Sequence, residues 1–195
     1  FVYREDFTKD KIVEKRTLTD DKEYKIVIYK SGYEVDVVRG FALLWRHTDP
    51  DRLLGWNSDN FDFPYYFKRC ERLGQLNKIQ RILSPTGYIR IDWKSVEVPG
   101  YEFFDLMKGA KKILGRYVDG SLEAVSQHIL GYGKLGDTMS AIADWQHNID
   151  RLIDYNIQDV ELTVLLDEKM PIHDYFQEQM AMTGATISDT LQANF

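Results

Sequence analysis

The chain has 195 residues, 44% hydrophobic and 29% charged, enough for one well-cored domain. Its 25 Lys and Arg against 31 Asp and Glu leave a formal charge of −6, which argues against nonspecific binding through a basic surface that neutralises phosphates. Apolar runs such as Ile26-Val27-Ile28-Tyr29 are too short to span a bilayer, and a lone Cys70 excludes an internal disulfide or a Cys-rich zinc site. These features predict a soluble chain of a reducing compartment.

Phe1-Val2-Tyr3 alternates and reads as a strand already under way, so the chain is expected to be a fragment of something longer. Lys25 to Tyr29 is β-branched and closed by Ser31-Gly32, which predicts a strand and turn. Apolar residues at 35, 37, 38, 41, 42, 44 and 45 fit a helix face from Val35 to Trp45, stopped by Asp49-Pro50. Leu53 to Trp56 reads as a short buried strand, and Phe63 to Leu73 as a helix with Pro64 in its first turn.

Tyr88 to Trp93 alternates, Pro99-Gly100 marks a turn, and Tyr101 to Leu106 predicts another strand, together a hairpin-rich insertion. Ser121 caps a predicted helix from Leu122 to Leu130, with Glu123 in its first turn. A further helix is expected from about Thr138 to Leu165, broken near Asn148. Pro171 interrupts the tail, and Phe176 to Phe195 is polar and sparsely patterned. Strands alternating with helices predict an α/β fold with a mixed sheet.

Gly131-Tyr132-Gly133-Lys134-Leu135-Gly136 matches the dinucleotide-binding fingerprint, but that motif needs a strand before it. Here a helix precedes it, so Gly131 reads as a C-cap.

Two acidic segments carry more. In Asn57-Ser58-Asp59-Asn60-Phe61-Asp62-Phe63, a carboxylate at the end of a strand could face a cleft, although the residues alone favour an ordinary N-cap aspartate. Tyr155 and Asp159 are four apart on a predicted helix and share one face, where a phenol could orient a water beside a metal-binding carboxylate. An exposed polar pair on an amphipathic helix is the alternative.

Taken together, these segments resemble family B DNA polymerases. Asn57-x-x-x-Phe61-Asp62 resembles the second exonuclease motif and Tyr155-x-x-x-Asp159 the third, with 97 residues from Asp62 to Asp159. Phe104-Asp105-Leu106, Ser121 to His128 and Gly133-Lys134-Leu135 resemble the intervening strand, helix and loop, as in bacteriophage-type members, and the likeness covers Val35 to Met170.

The resemblance implies an RNase H-like mixed β-sheet flanked by helices with a β-hairpin insertion, carrying a 3′→5′ proofreading exonuclease over residues 1–170 and a connection toward the polymerase palm over 171–195. It implies two Mg²⁺ or Mn²⁺ ions held by carboxylates. Asp159 would ligate one, Tyr155 would position the attacking water, Asp62 would act on the second, and Asn57 and Phe61 would shape the pocket for the 3′ end. The implied partners are a single-stranded DNA 3′ end, the rest of the polymerase chain and a sliding clamp, with no membrane, in the cytoplasm of a prokaryotic or phage-infected cell.

The family's first motif, apolar-Asp-x-Glu, has no good match. The only Asp-x-Glu upstream of Asp62, Asp21-Lys22-Glu23, lies in a polar run and reads as a solvated turn. The motif is therefore expected upstream of Phe1, leaving this chain with little nuclease activity of its own. The competing expectation is a non-catalytic module that binds single-stranded DNA, with Tyr65, Tyr66, Tyr88 and Trp93 as stacking candidates.

Overall fold

The computed structural model describes residues 1–8, 10–17, 23–92, 95–115, 119–134 and 147–192. The chain packs as two compact units, residues 1–53 with 59–103, and residues 54–58 with 104–195.

The first unit opens with β1 (Val2–Tyr3), β2 (Asp10–Thr17) and β3 (Glu23–Ser31), in the order β1-β3-β2. β1 runs parallel to β3 with Val2 opposite Lys30, and β2 runs antiparallel with Ile12 opposite Ile28. Of the Asp-x-Glu candidate, Asp21 and Lys22 lie outside the described residues, and Glu23 begins β3.

Helix α1 (Glu34–Thr48) buries Val38, Ala42 and Trp45, the i, i+4, i+7 stripe that its apolar spacing predicts. It ends where Asp49 turns left-handed at φ 43° and donates its N–H to the Trp45 carbonyl, one residue before Pro50. The strand β4 (Arg52–Gly55) pairs with β7 (Glu102–Asp105).

α2 (Asp62–Arg72) and α3 (Leu76–Leu83) follow, separated by Gly74 at φ 65°. The second of these helices was not expected: Leu76, Ile79 and Leu83 have helical spacing, but the run is short and the side chain of its N-cap, Gln75, makes no capping bond. The two helices pack Phe67, Cys70, Ile79 and Leu83 against the α1 stripe. Burial pushes the Cys70 thiol up to about 11. The short strands β5 (Arg90–Ile91) and β6 (Val96–Glu97) pair antiparallel beside this core.

The second unit is helical: α4 (Leu106–Leu114), α5 (Leu122–Leu130), α6 (Ile149–Lys169), α7 (Ile172–Thr183) and α8 (Ile187–Gln192). Ser121 caps α5 by accepting the Ala124 N–H, as its sequence position predicts. Asn148 caps α6 through the Arg151 N–H, at the predicted break; residues 135–146 of the long helix expected there lie outside the described residues.

The tail departs from expectation. Its apolar residues are sparsely patterned, but Ile172, Phe176 and Ile187 are all buried and join Phe104, Leu106 and Ala110 in one core. Gly109 lets α4 approach α7: a Cβ there would lie 2.6 Å from Ile172 and 3.1 Å from Phe176. Gly109→Ala is expected to cost about 1–3 kcal/mol through overpacking, read by thermal denaturation; an unchanged melting temperature would contradict this packing. No helix among the described residues is long and apolar enough to cross a membrane.

Candidate functional site

In the second unit, Tyr155 and Asp159 lie one turn apart on α6 and converge on a single amine. Lys134 Nζ donates to Asp159 Oδ2 at 2.8 Å and to the Tyr155 hydroxyl oxygen at 3.2 Å, and stands 5.2 Å from the Tyr155 ring centre. The lysine is 20% exposed and the carboxylate 27%, so the pair is only partly screened by water. Burial works against the ammonium, yet its bonds to Asp159 and Tyr155 hold its pKa above the ordinary range.

This arrangement sets the polarity of both partners. An ammonium has donors only, so the phenol accepts from it and keeps its own O–H to donate elsewhere. Asp159 Oδ2 is occupied, whereas Asp159 Oδ1 is buried with no hydrogen-bond partner among the described residues. A buried carboxylate oxygen in that state is suited to a hard cation, and the oxygen chemistry is right for Mg²⁺ or Mn²⁺. Sequence reasoning gave Lys134 no chemical role, because its contact with Asp159 spans 25 residues.

The turn that begins the other motif is fixed from below. Trp56 Nε1 donates to the Gly120 carbonyl at 3.1 Å, and Ser58 is buried. Asn57 has φ 60°, a conformation Asn tolerates better than most residues. Its N–H donates to Asp105 Oδ1 at 2.8 Å, and the same oxygen accepts the Met107 N–H at 3.1 Å, capping α4. Asp105 is 0% exposed. Sequence reasoning placed it in a strand and missed this clamp, although an aspartate directly before a helical run is a cap signal.

Phe61 and Asp62 belong to the first unit. Asp62 is the first residue of α2, and the N-cap, Phe61, makes no side-chain bond. The ordinary N-cap reading of Asp62 therefore fails. Desolvation holds that carboxyl above the ordinary range, opposed by a hydrogen bond to its own backbone N–H. A raised acid pKa means stability is fully present below the ordinary value and is lost as pH rises through the raised one. Because Asp62 is an exposed residue, water screens most of this effect, and Asp62→Asn is expected to stabilise the first unit only slightly at pH 7 and to be neutral below about pH 3, read by melting at both pH values.

Phe61 and Tyr65 are 63% and 60% exposed, and their rings stack with centres 6.0 Å apart and planes 8° apart. Of the other stacking candidates, Tyr88 is exposed, while Tyr66 packs on the core and donates its hydroxyl to the Val38 carbonyl at 2.7 Å. Trp93 lies outside the described residues. Among the described residues, no three His, Cys, Asp or Glu side chains gather as a metal site.

The chain belongs to the exonuclease domains of family B DNA polymerases: the family model described as "DNA polymerase family B, exonuclease domain" matches residues 1–117. It is 29% identical over 178 residues to DNA polymerase 1 of Pyrococcus abyssi, covering 85% of this chain and 23% of that protein. It is 28% identical over 165 residues to the DNA polymerase of Thermococcus aggregans, covering 77% of this chain and 9% of that protein. A match at 30% identity to the DNA polymerase delta catalytic subunit of Dictyostelium discoideum covers 80% of this chain and 16% of that protein. The chain therefore spans less than a quarter of the length of each of these three relatives.

Proposed function

We propose that this chain is the proofreading domain of a DNA-directed DNA polymerase, with an RNase H-like fold, hydrolysing phosphodiester bonds from the 3′ end of a frayed strand. The observation that carries the reading is the Lys134–Tyr155–Asp159 cluster with its orphaned carboxylate oxygen. It falls on the motif that the family resemblance marks as catalytic.

Asp159 Oδ1 would hold one divalent cation and Asp62 a second, and bound Mg²⁺ or Mn²⁺ would supply an activated water and charge stabilisation for the departing 3′ oxygen. Tyr155 would orient the water through its O–H. Asn57 would shape the pocket and Phe61 would stack on the terminal base, Tyr65 extending that surface. The wider assignments follow the same reading: a nuclease domain over 1–170, a connection to the palm over 171–195, DNA and the remaining polymerase chain as partners, a sliding clamp for processivity, and a cytoplasmic setting.

Since Asp62 and Asp159 are the two motif carboxylates identified in this sequence, the isolated chain is expected to digest a 3′-labelled oligonucleotide poorly even with Mn²⁺. Robust metal-dependent digestion would contradict that incomplete ligand set.

The exposed Phe61–Tyr65 stack favours a second reading, a module that holds single-stranded DNA without cutting it. Phe61→Ala is expected to weaken oligonucleotide binding about 5- to 150-fold, the value of one base–aromatic stack. The readings separate in a polymerase that carries this domain: Asp159→Ala abolishes 3′ digestion while leaving oligonucleotide affinity nearly unchanged if the site is catalytic, whereas a pure binder has no such digestion to lose.

A further inference from the structure

Lys134 reaches Asp159 from residues 131–134, which follow α5, and this segment is held at two points. The Lys134 N–H donates to Glu123 Oε2 at 2.6 Å, and Gln158 Nε2 donates to the Gly133 carbonyl at 3.2 Å. Glu123 is in turn steadied from within α5, where the Gln127 side chain donates to its other oxygen. The loop lies close against this carboxylate: a Cβ on Gly133 would stand 2.4 Å from Glu123 Oε2 and 2.5 Å from Oε1. Gly131, at φ 82°, ends α5 as its C-cap and turns the chain into the loop.

A lysine side chain has four rotatable carbons and loses considerable rotamer freedom when its amine is fixed. Anchoring the backbone N–H of the same residue removes much of the remaining freedom before the amine meets its partners. We propose that Glu123 is a positioning residue: by accepting the Lys134 N–H it sets where the Lys134 ammonium stands, and so fixes how Asp159 and Tyr155 present their remaining oxygen and O–H. Gly131 and Gly133, the first two glycines of the stretch that imitates a nucleotide fingerprint, have this different purpose. They let the chain close onto a helix carboxylate and deliver one cation. The inference rests on the nuclease reading only for its consequence; the positioning itself is a property of this chain.

The test is NMR detection of lysine side-chain ammonium groups in the chain uniformly labelled with nitrogen-15. The Lys134 signal is assigned by its loss in Lys134→Met. In the parent sequence and in Glu123→Gln, which keeps an acceptor, the Lys134 ammonium is expected to be visible and slow to exchange. In Glu123→Ala and Gly133→Ala, and in the control Asp159→Asn, its exchange is expected to accelerate at least tenfold, with most of the melting temperature retained. A purely structural role for Glu123 would change stability without this selective loss and would not be rescued by glutamine.

Should Glu123→Ala fail to fold, Gly133→Ala decides, since its Cβ forces the loop and the Glu123 carboxylate apart without removing the acceptor. Persistence of the slow signal in the folded alanine variants overturns the proposal, as does its absence from the parent sequence. Failure of the nuclease reading would be recognised separately, by Asp159→Ala leaving Mn²⁺ binding by this chain and 3′ digestion by a polymerase that carries this domain both unaffected.

Discussion

Asp159→Ala is expected to remove Mn²⁺ binding from this chain, with electron paramagnetic resonance of added Mn²⁺ as the measurement and Glu97→Ala, on an exposed strand residue, as the control. Asp159 Oδ1 is buried without a hydrogen-bond partner among the described residues, and Oδ2 already takes the Lys134 ammonium. A divalent cation entering here therefore gains one oxygen that makes no competing bond and competes with the lysine for the other. Removing the carboxylate deletes both oxygens and also leaves a partly buried ammonium with the phenol as its remaining partner among the described residues. The variant should accordingly lose about 1–2 kcal/mol of stability as well as the metal, because a buried charge stripped of its partner costs more than the pair contributed. Adding Lys134→Met should recover most of the stability but none of the binding. If Mn²⁺ binds the Asp159→Ala variant as tightly as the parent, the cation lies elsewhere and the site assignment is wrong.

The second large effect is expected at Asp105. This carboxylate is fully buried and serves two backbone donors with one oxygen, the Asn57 N–H and the Met107 N–H. Asp105→Ala removes the α4 cap, worth about 1 kcal/mol, and orphans a second buried N–H, worth about 1–3 kcal/mol. Relief of the desolvated second oxygen, which has no hydrogen-bond partner among the described residues, offsets part of this, so a net loss of about 2–3 kcal/mol is expected. For a unit of roughly a hundred residues that is a fall of about 8–24 °C in melting temperature. Asp105→Asn retains an acceptor oxygen and should cost clearly less. Asn57 starts the Asn57-x-x-x-Phe61-Asp62 segment, so the alanine variant should also speed hydrogen exchange at the Asn57 amide more than the change in global stability explains. Equal melting of the alanine and asparagine variants would refute the clamp.

The elements readable in the sequence are those whose signals are local. The α1 stripe of Val38, Ala42 and Trp45 repeats with the helix, Ser121 and Gly131 bracket α5 with a cap at each end, and Asn148 marks the start of α6. The Tyr155–Asp159 pair was readable for the same reason, since one turn of helix places both on one face. What sequence reading missed depends on contacts between distant segments. Helices α7 and α8 show little regular apolar patterning, yet Phe176 is buried because Phe104 and Ile172 close over it. Asp105, Glu123 and Lys134 are ordinary polar residues in sequence, and each acquires its role from a partner 11 to 48 residues away.

The solitary thiol of Cys70 offers a clock for the first unit. It is buried within that unit's core and its pKa is raised to about 11, so a thiol reagent at neutral pH finds little thiolate and no access while the unit is closed. Modification must wait for an opening event, and its rate under excess reagent therefore counts openings of residues 1–53 and 59–103 alone. Trp56, whose indole is packed in the second unit and bonded to Gly120, lies on the other side of that division. Comparing thiol labelling with exchange at the Trp56 indole would time the two halves of the domain independently, one by covalent capture and the other by proton exchange.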